Sequence, residues 1–442
     1  MAPVEHPDIN AYRKQEGQSL PESVSNSRVR ELVLAAGADD VGIIELGRES
    51  IAHCQKDLLD VMPGARSIIV MAFRANPGSL RSLAQSVTDY EFKQVWADVG
   101  HTGRTVANRL NREGIRAVNM PAGFPQEASR WPGKIWLTED KRMAWEAGLG
   151  QMGYNRLVIH PKFGAGVLFG SVLMSARCDV YNRPVAYNPC IRCGLCLKVC
   201  PTGAVKSGDD FDFLACFTHN YRERLGGFQN WVEQVVAADD VHDYRRRVSD
   251  RETVSMWQHL AVGAQNKCDR CMAVCPAGKD LIGEFLNDRQ AYIDTYVTRF
   301  RDLPETVYAV KDSGADRHVK KHFPAKQVKH VSNGLRPVSA EGFLESLPLV
   351  FQPHLADGLD AVFHFSFTGS ETLDGTVTIQ KGSITVTSGL AGVSDLHVTA
   401  DSQVWIRFLS GETGLLKALL TRKIRFKGRA ALMKAFARCF PS

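Results

Sequence analysis

Among the 442 residues of this chain, the placing of the cysteines constrains the fold most. Cys190-Ile-Arg-Cys193-Gly-Leu-Cys196-Leu-Lys-Val-Cys200-Pro201 reads C-x2-C-x2-C-x3-C-P. In such a run three thiolates hold one [4Fe–4S] cubane and the fourth crosses to a second. Cys268-Asp-Arg-Cys271-Met-Ala-Val-Cys275-Pro276 has the same ending but is short of one cysteine, which Cys216 can supply from between the runs. The expected ligand sets are Cys190, Cys193, Cys196 and Cys275 for one cluster and Cys200, Cys216, Cys268 and Cys271 for the other. Zinc is the competing occupant, yet structural zinc favours paired C-x2-C knuckles and leaves the Cys-Pro endings unexplained. Disulfide frameworks belong to small secreted chains, and this chain is neither short nor led by an apolar targeting segment. Cys54, Cys178 and Cys439 read as small buried hydrophobes. Two adjacent cubanes conduct electrons, so a redox centre is expected at the end of the path.

Around that core the patterning changes several times. Residues 1–26 are polar and aperiodic, a loose tail. A helix is expected from Ser27, where Val29, Leu32, Val33 and Ala36 recur at helical spacing before Gly37. Val41-Gly-Ile-Ile and Ser67-Ile-Ile-Val-Met-Ala are strand-like, helices are expected near 88–113 and 138–147, and strands follow in Asn155–Pro161 and Gly166–Met174. This is an α/β pattern over 27–178. The cysteine domain spans 179–290, a basic connector 291–336, and an α+β domain 337–442. In the last, Phe363, Phe365 and Phe367 alternate, a Lys381-Gly382 turn joins two strands, and Leu415, Leu416, Leu419 and Leu420 mark a helix. A net charge of +6 is too dilute over this length to indicate nucleic acid, and no apolar run is long enough to span a membrane. A cytoplasmic location is expected, with no nucleic-acid partner; a homo-oligomer is compatible with the pattern.

Three segments ahead of the cysteines, Ala36-Gly-Ala-Asp-Asp-Val-Gly-Ile, Met62-Pro-Gly-Ala-Arg-Ser-Ile-Ile-Val and Ala147-Gly-Leu-Gly-Gln-Met-Gly-Tyr-Asn-Arg-Leu-Val-Ile-His-Pro, resemble the cobalamin-dependent iron–sulfur reductases, which include epoxyqueuosine reductases and reductive dehalogenases. The step from Cys200 to Cys216 fits that family too. The resemblance covers about residues 27–290. It implies a nitroreductase-like α/β domain holding base-off cobalamin without a protein axial ligand, and a bacterial-ferredoxin-like domain with two [4Fe–4S] clusters that delivers electrons to cobalt. Gly148, Gly150, Gly153, Tyr154 and Asn155 are the expected cofactor loop. Gly148-Leu-Gly-Gln-Met-Gly153 also spells G-x-G-x-x-G, but a helix-like segment precedes it and a strand-like one follows, the reverse of a dinucleotide fingerprint.

The chain departs from that family at both proton-handling positions. Where relatives carry Val-Asp-Thr-Gly it has Trp131-Pro-Gly-Lys134-Ile-Trp136, and where they place Lys or Arg it has Tyr154. Tyr154 is therefore the expected general acid, because a phenol donates a proton while neutral at working pH, with Lys134 or His160 as a second polar group. The segments around Phe363–Phe367, Asp395–Asp401 and Lys423–Arg429 resemble the sterol carrier protein type-two family, implying a tunnel for lipids or acyl chains; a packed core or a dimerisation module is the alternative. Arg422, Lys423, Arg425, Lys427 and Arg429 read as a solvated strand edge guarded against strand addition, in preference to a contact for an anionic membrane surface. The function expected is a corrinoid-dependent reductase of a small hydrophobic or lipid-like substrate, supplied by an external ferredoxin, flavodoxin or reductase. The alternatives are a corrinoid reductase or carrier, and an electron-transfer protein holding another tetrapyrrole.

Overall fold

The computed structural model describes residues 21–208, 210–263 and 266–441, so most of the expected tail lies outside the described residues. Ser23–Val24 pairs in parallel with Arg177–Cys178, which ties the end of that segment to the fold. Ser25 then caps helix α1 (Asn26–Ala35) by accepting the Arg28 N–H, satisfying one of the orphan donors of the first turn.

The N-terminal part follows as β1 (Asp40–Glu45), α2 (Ala52–Val61), β2 (Ser67–Arg74), α3 (Gln85–Arg112), β3 (Ala117–Asn119), α4 (Asp140–Glu146) and β4 (Val167–Met174). The sheet order is β1-β2-β4-β3 and every pair is antiparallel. Helices cover both faces, which is why β2 and β4 are continuous apolar runs rather than alternating ones. Ile69, Met71 and Phe73 of β2 face α1 and α3, whereas Ile68, Val70 and Ala72 face α2 and α4.

The cysteine-bearing segment does not fold on a core of its own. Leu195 and Val199 of α5 (Leu195–Val199) share one apolar cluster with Val95 and Val99 of α3. Cys216 rides on α6 (Phe213–Asn220) and Cys271 on α7 (Arg270–Ala273). Three further helices, Gly226–Val236, Val241–Arg247 and Asp250–Val262, stand between them.

The expected connector over 291–336 proves to be ordered. Strand β5 (Thr306–Ala309), helix α8 (Gly314–His322) and strand β6 (Gln327–His330) form a β-α-β unit, its parallel strands registered from Gln327 opposite Thr306 to His330 opposite Ala309. Three of its lysines are paired: Lys326 reaches Glu305 at 2.9 Å, Lys329 reaches Glu252 at 2.6 Å and Lys320 reaches Asp316 at 2.8 Å. Two of these partners, Glu305 and Asp316, belong to the segment itself and one, Glu252, comes from outside it, so its net basic composition concealed charges that are locally neutralised.

The C-terminal part has α9 (Ala340–Val350), β7 (Ala361–Thr368), β8 (Leu373–Gln380), β9 (Ser383–Ser388), β10 (Leu396–Asp401), α10 (Ser402–Leu409), α11 (Leu415–Leu420), β11 (Ile424–Gly428) and α12 (Ala431–Arg438). The sheet runs β9-β8-β7-β10-β11, with β7 and β10 parallel and the remaining pairs antiparallel. Phe363, Phe365 and Phe367 point to the helix side, where Phe343 meets Phe365 at 5.4 Å and Trp405 at 5.3 Å between ring centroids. Such a ring cluster adds roughly 0.5–1.5 kcal/mol per pair to the area it buries.

Candidate functional site

The first cysteine run curls because Arg192 and Gly194 take left-handed backbone conformations, with φ of 53° and 75°. Glycine adopts that region freely, and Gly194 opens the helix that carries Cys196. Cys190, Cys193, Cys196 and Cys275 all line one small cavity, together with Tyr154 and Asn155. Cys200, Cys216, Cys268 and Cys271 line a second, larger one of about 310 Å³. The two groups adjoin, since Cys271 lies within electrostatic reach of Cys196 as well as of its own quartet.

Burial first, and then the neighbouring thiols, raise five of these groups: Cys196, Cys268 and Cys275 are each pushed up to about 12, and Cys216 and Cys271 are also pushed well up from the ordinary thiol value. Four buried or half-buried thiols facing one space are a poor arrangement for thiolates alone and a good one for thiolates around positive iron. That donor set, in that geometry, fits a cubane in each cavity.

The second quartet is braced from behind. Asn220 Oδ1 accepts the Cys268 N–H at 3.0 Å, and Asn155 Nδ2 donates to the Cys271 carbonyl at 3.1 Å. Arg270, between the two cysteines, forms a two-pronged ion pair with Glu305 at the start of the β-α-β unit. Burial raises the Glu305 carboxyl, but the Arg270 hydrogen bonds and charge outweigh it and hold the group at about 2.

The 310 Å³ cavity extends away from its cysteines between aromatic walls, Trp96, Phe124 and Trp136, with carboxamides from Gln126, Asn220 and Asn266. Lys141 of α4 projects into it. Its side chain is exposed to the cavity space while protein encloses it, and that burial lowers its pKa. A further cavity of about 890 Å³ shares the walls Trp136, Phe213 and Phe217 and runs on between the Trp131–Trp136 loop and α9, β8 and β9 of the C-terminal part. Flat aromatic faces and amides suit a corrin, whose rim carries carboxamides; the smaller cavity lies at the low end of ligand sites, so a corrin would also use the adjoining space. His219 is the imidazole in the smaller cavity's wall. Its Nδ1 accepts the Tyr308 N–H at 3.4 Å, which leaves the proton on Nε2, and burial holds the ring neutral, at about 3.

The three expected proton donors are not brought together. Tyr154 packs among Cys196, Leu197 and Cys271, at the cluster end rather than in the Lys141 cavity. Lys134 pairs with Asp57 at 3.2 Å, donates to the His53 carbonyl at 3.2 Å, and lines the larger cavity. His160 is buried and faces Asp40 at 3.3 Å, while its Nδ1 accepts the N–H groups of Lys162 and Phe163. The glycine loop also differs from expectation. A Cβ on Gly148 would meet the Arg183 carbonyl at 2.5 Å, and one on Gly150 the Ile159 carbonyl at 2.3 Å, so these glycines make room for the chain's own backbone. A Cβ on Gly153 would meet the Ile159 side chain, at 2.8 Å from its Cγ1. Asn155 alone of the loop reaches both cysteine cavities. Lys141 escaped the sequence reading; its signal was an Asp140-Lys141 pair opening the helix just before Gly148-Leu-Gly.

Residues 352–441 match the SCP-2 sterol transfer family, and 185–206 match the 4Fe-4S binding domain. Epoxyqueuosine reductase from Bacillus cereus is 24% identical over 225 residues, 50% of each chain. That from Gloeobacter violaceus is 25% identical over 231 residues, 50% of this chain and 59% of its own, and that from Synechococcus sp. strain RCC307 is 41% identical over 111 residues, 25% and 34%. The chain thus spans about half the length of the first curated relatives it matches. Among solved structures, an epoxyqueuosine reductase with an epoxyqueuosine-modified tRNA stem loop aligns at 16% identity and TM-score 0.34 over 73% of this chain and 80% of that one. A reductive dehalogenase described as B12-dependent aligns at 14% and 0.39 over 70% and 39%. Over half of its length the chain is thus similar to epoxyqueuosine reductases; it also carries a 4Fe-4S match at 185–206 and an SCP-2 sterol transfer match at 352–441.

Proposed function

We propose that the chain is an iron–sulfur reductase in which two [4Fe–4S] clusters, held by the two cysteine quartets, feed a corrinoid seated in the Lys141 cavity. The observation that carries this reading is the second quartet, which lines the same cavity as the aromatic walls and the lysine. A corrinoid bound there would supply cobalt in a strongly reducing, nucleophilic state. The protein's part is to enclose that chemistry. Trp96, Phe124 and Trp136 would flank the ring and exclude water, Gln126 and Asn266 would bond its amides, and Lys141 would hold a proton or a negative charge at the reacting atom. The adjoining cavity, with Leu344, Leu349, Leu373 and Val386 in its wall, supports a hydrophobic portion on the substrate.

A second reading is a corrinoid reductase or carrier, favoured by the scatter of Tyr154, Lys134 and His160 away from one another. The relatives' name adds RNA bearing epoxyqueuosine to the substrates to be tried, against the expectation of no nucleic-acid partner. Anaerobic reconstitution followed by metal analysis tests the proposal. Cobalt near one per chain, with the visible spectrum of a corrinoid lacking its lower base, supports it; iron without bound corrinoid contradicts it. Reduction of an added substrate then separates enzyme from carrier.

A further inference from the structure

The charge of this chain is unevenly spread. Residues 402–442 hold nine Lys/Arg and one carboxylate, Glu412, so the remainder carries a slight net negative charge although the whole is +6. Guarding a strand edge explains part of this: β11 is the edge strand of its sheet, and its Arg425 and Lys427 are exposed. The run goes well beyond that edge, to Lys417 on α11, Arg422 in the turn after it, and Lys434 on α12, all three exposed and without a carboxylate partner among the described residues. Lys423 and Arg429 are paired, with Asp401 at 3.2 Å and Asp395 at 2.6 Å.

Among these bases stand two apolar side chains turned to solvent. Leu416 and Leu420 of α11 are 73% and 78% exposed, and their spacing of four puts them on one helix face. Lone exposed leucines need no explanation, but two on one turn flanked by Lys417 and Arg422 make an apolar tip in a basic rim. We infer that α11 and the turn after it dock on an anionic lipid bilayer surface, the leucines entering the acyl boundary and the bases facing lipid phosphates and carboxylates. This is surface docking; no helix among the described residues is long and apolar enough to cross a membrane. RNA would also meet the charge, but single-stranded bases are held by stacking on exposed rings. In this segment Trp405 and Phe436 are buried and Phe408, Phe426 and Phe440 are packed against the core.

Flotation of the full-length, cluster-loaded protein tests the inference. Vesicles of phosphatidylcholine with about 30% phosphatidylserine should bind at least about tenfold more protein than phosphatidylcholine alone, with most released as salt rises well above about 0.1 M. Lys417→Gln and Arg422→Gln should each weaken binding about fivefold, the equivalent of about 1 kcal/mol per base. Leu416→Asp with Leu420→Asp should abolish it with iron content and circular dichroism unchanged. Equal binding to both vesicles overturns the proposal, as does loss of the glutamine effects. So does an RNA oligonucleotide bound as well by the double aspartate variant as by the unaltered chain, when neither binds vesicles.

Discussion

A lysine ammonium enclosed by protein, with open space before it, loses hydration and holds its proton less firmly. Lys141 is in that position, its charge opposed by burial and helped by the nearby thiols of Cys216 and Cys271. If it donates to the reacting atom, Lys141→Met should lower turnover by roughly 10²–10⁴ while iron stays at the unaltered level, as general-acid losses do. Tyr154→Phe should change turnover by less than about tenfold, because the ring packs among Cys196 and Cys271 and would keep that packing without its hydroxyl. Steady-state rates of the two variants, each normalised to iron, check the contrast; the reverse order would return the tyrosine to the reaction centre.

Elements fix the site through backbone fit as much as through side chains. Gly150 sits at φ 149° with the Ile159 carbonyl where a Cβ would go, so Gly150→Ala should cost on the order of 1–3 kcal/mol in thermal or denaturant unfolding. The β-α-β unit behind the second quartet makes a different prediction. Glu305 is held at about 2 against an ordinary 4.5, so it binds fewer protons folded than unfolded. Its stabilisation is therefore present above about pH 4.5 and is lost as pH falls towards 2. Glu305→Gln should flatten that acid slope and, at neutral pH, lower stability by roughly 3–5 kcal/mol by leaving Arg270 buried beside half a partner; urea melts across pH read both. These cases mark where the sequence was readable. Local periodicity located β1, β2, α3 and the Phe363–Phe367 strand, and cysteine spacing paired residues up to 85 apart, because metal geometry admits few solutions. The Arg270–Glu305 pair, the packing behind Gly150 and the satisfied His160 depend on contacts between distant segments that leave no local pattern. Lys141 was overlooked for the same reason: a base on a short helix looks solvated until the walls around it are known.

At the scale of the molecule, the fold lines up two cysteine quartets, a lysine-bearing cavity and a wider one roofed by the SCP-2-type domain, with shared walls between successive spaces. The arrangement makes sense as a path for electrons only if both quartets are filled. Cys216 is the one expected ligand outside the two cysteine runs, carried by α6 at the quartet that lines the 310 Å³ cavity. The direct test is iron and acid-labile sulfide in anaerobically prepared protein, unaltered and Cys216→Ala, with Cys54→Ala as a control. About eight iron and eight sulfide per chain are expected, falling to about four of each in Cys216→Ala and unchanged in Cys54→Ala. An unaltered chain with about four iron, or full iron in Cys216→Ala, would contradict the two-cluster account.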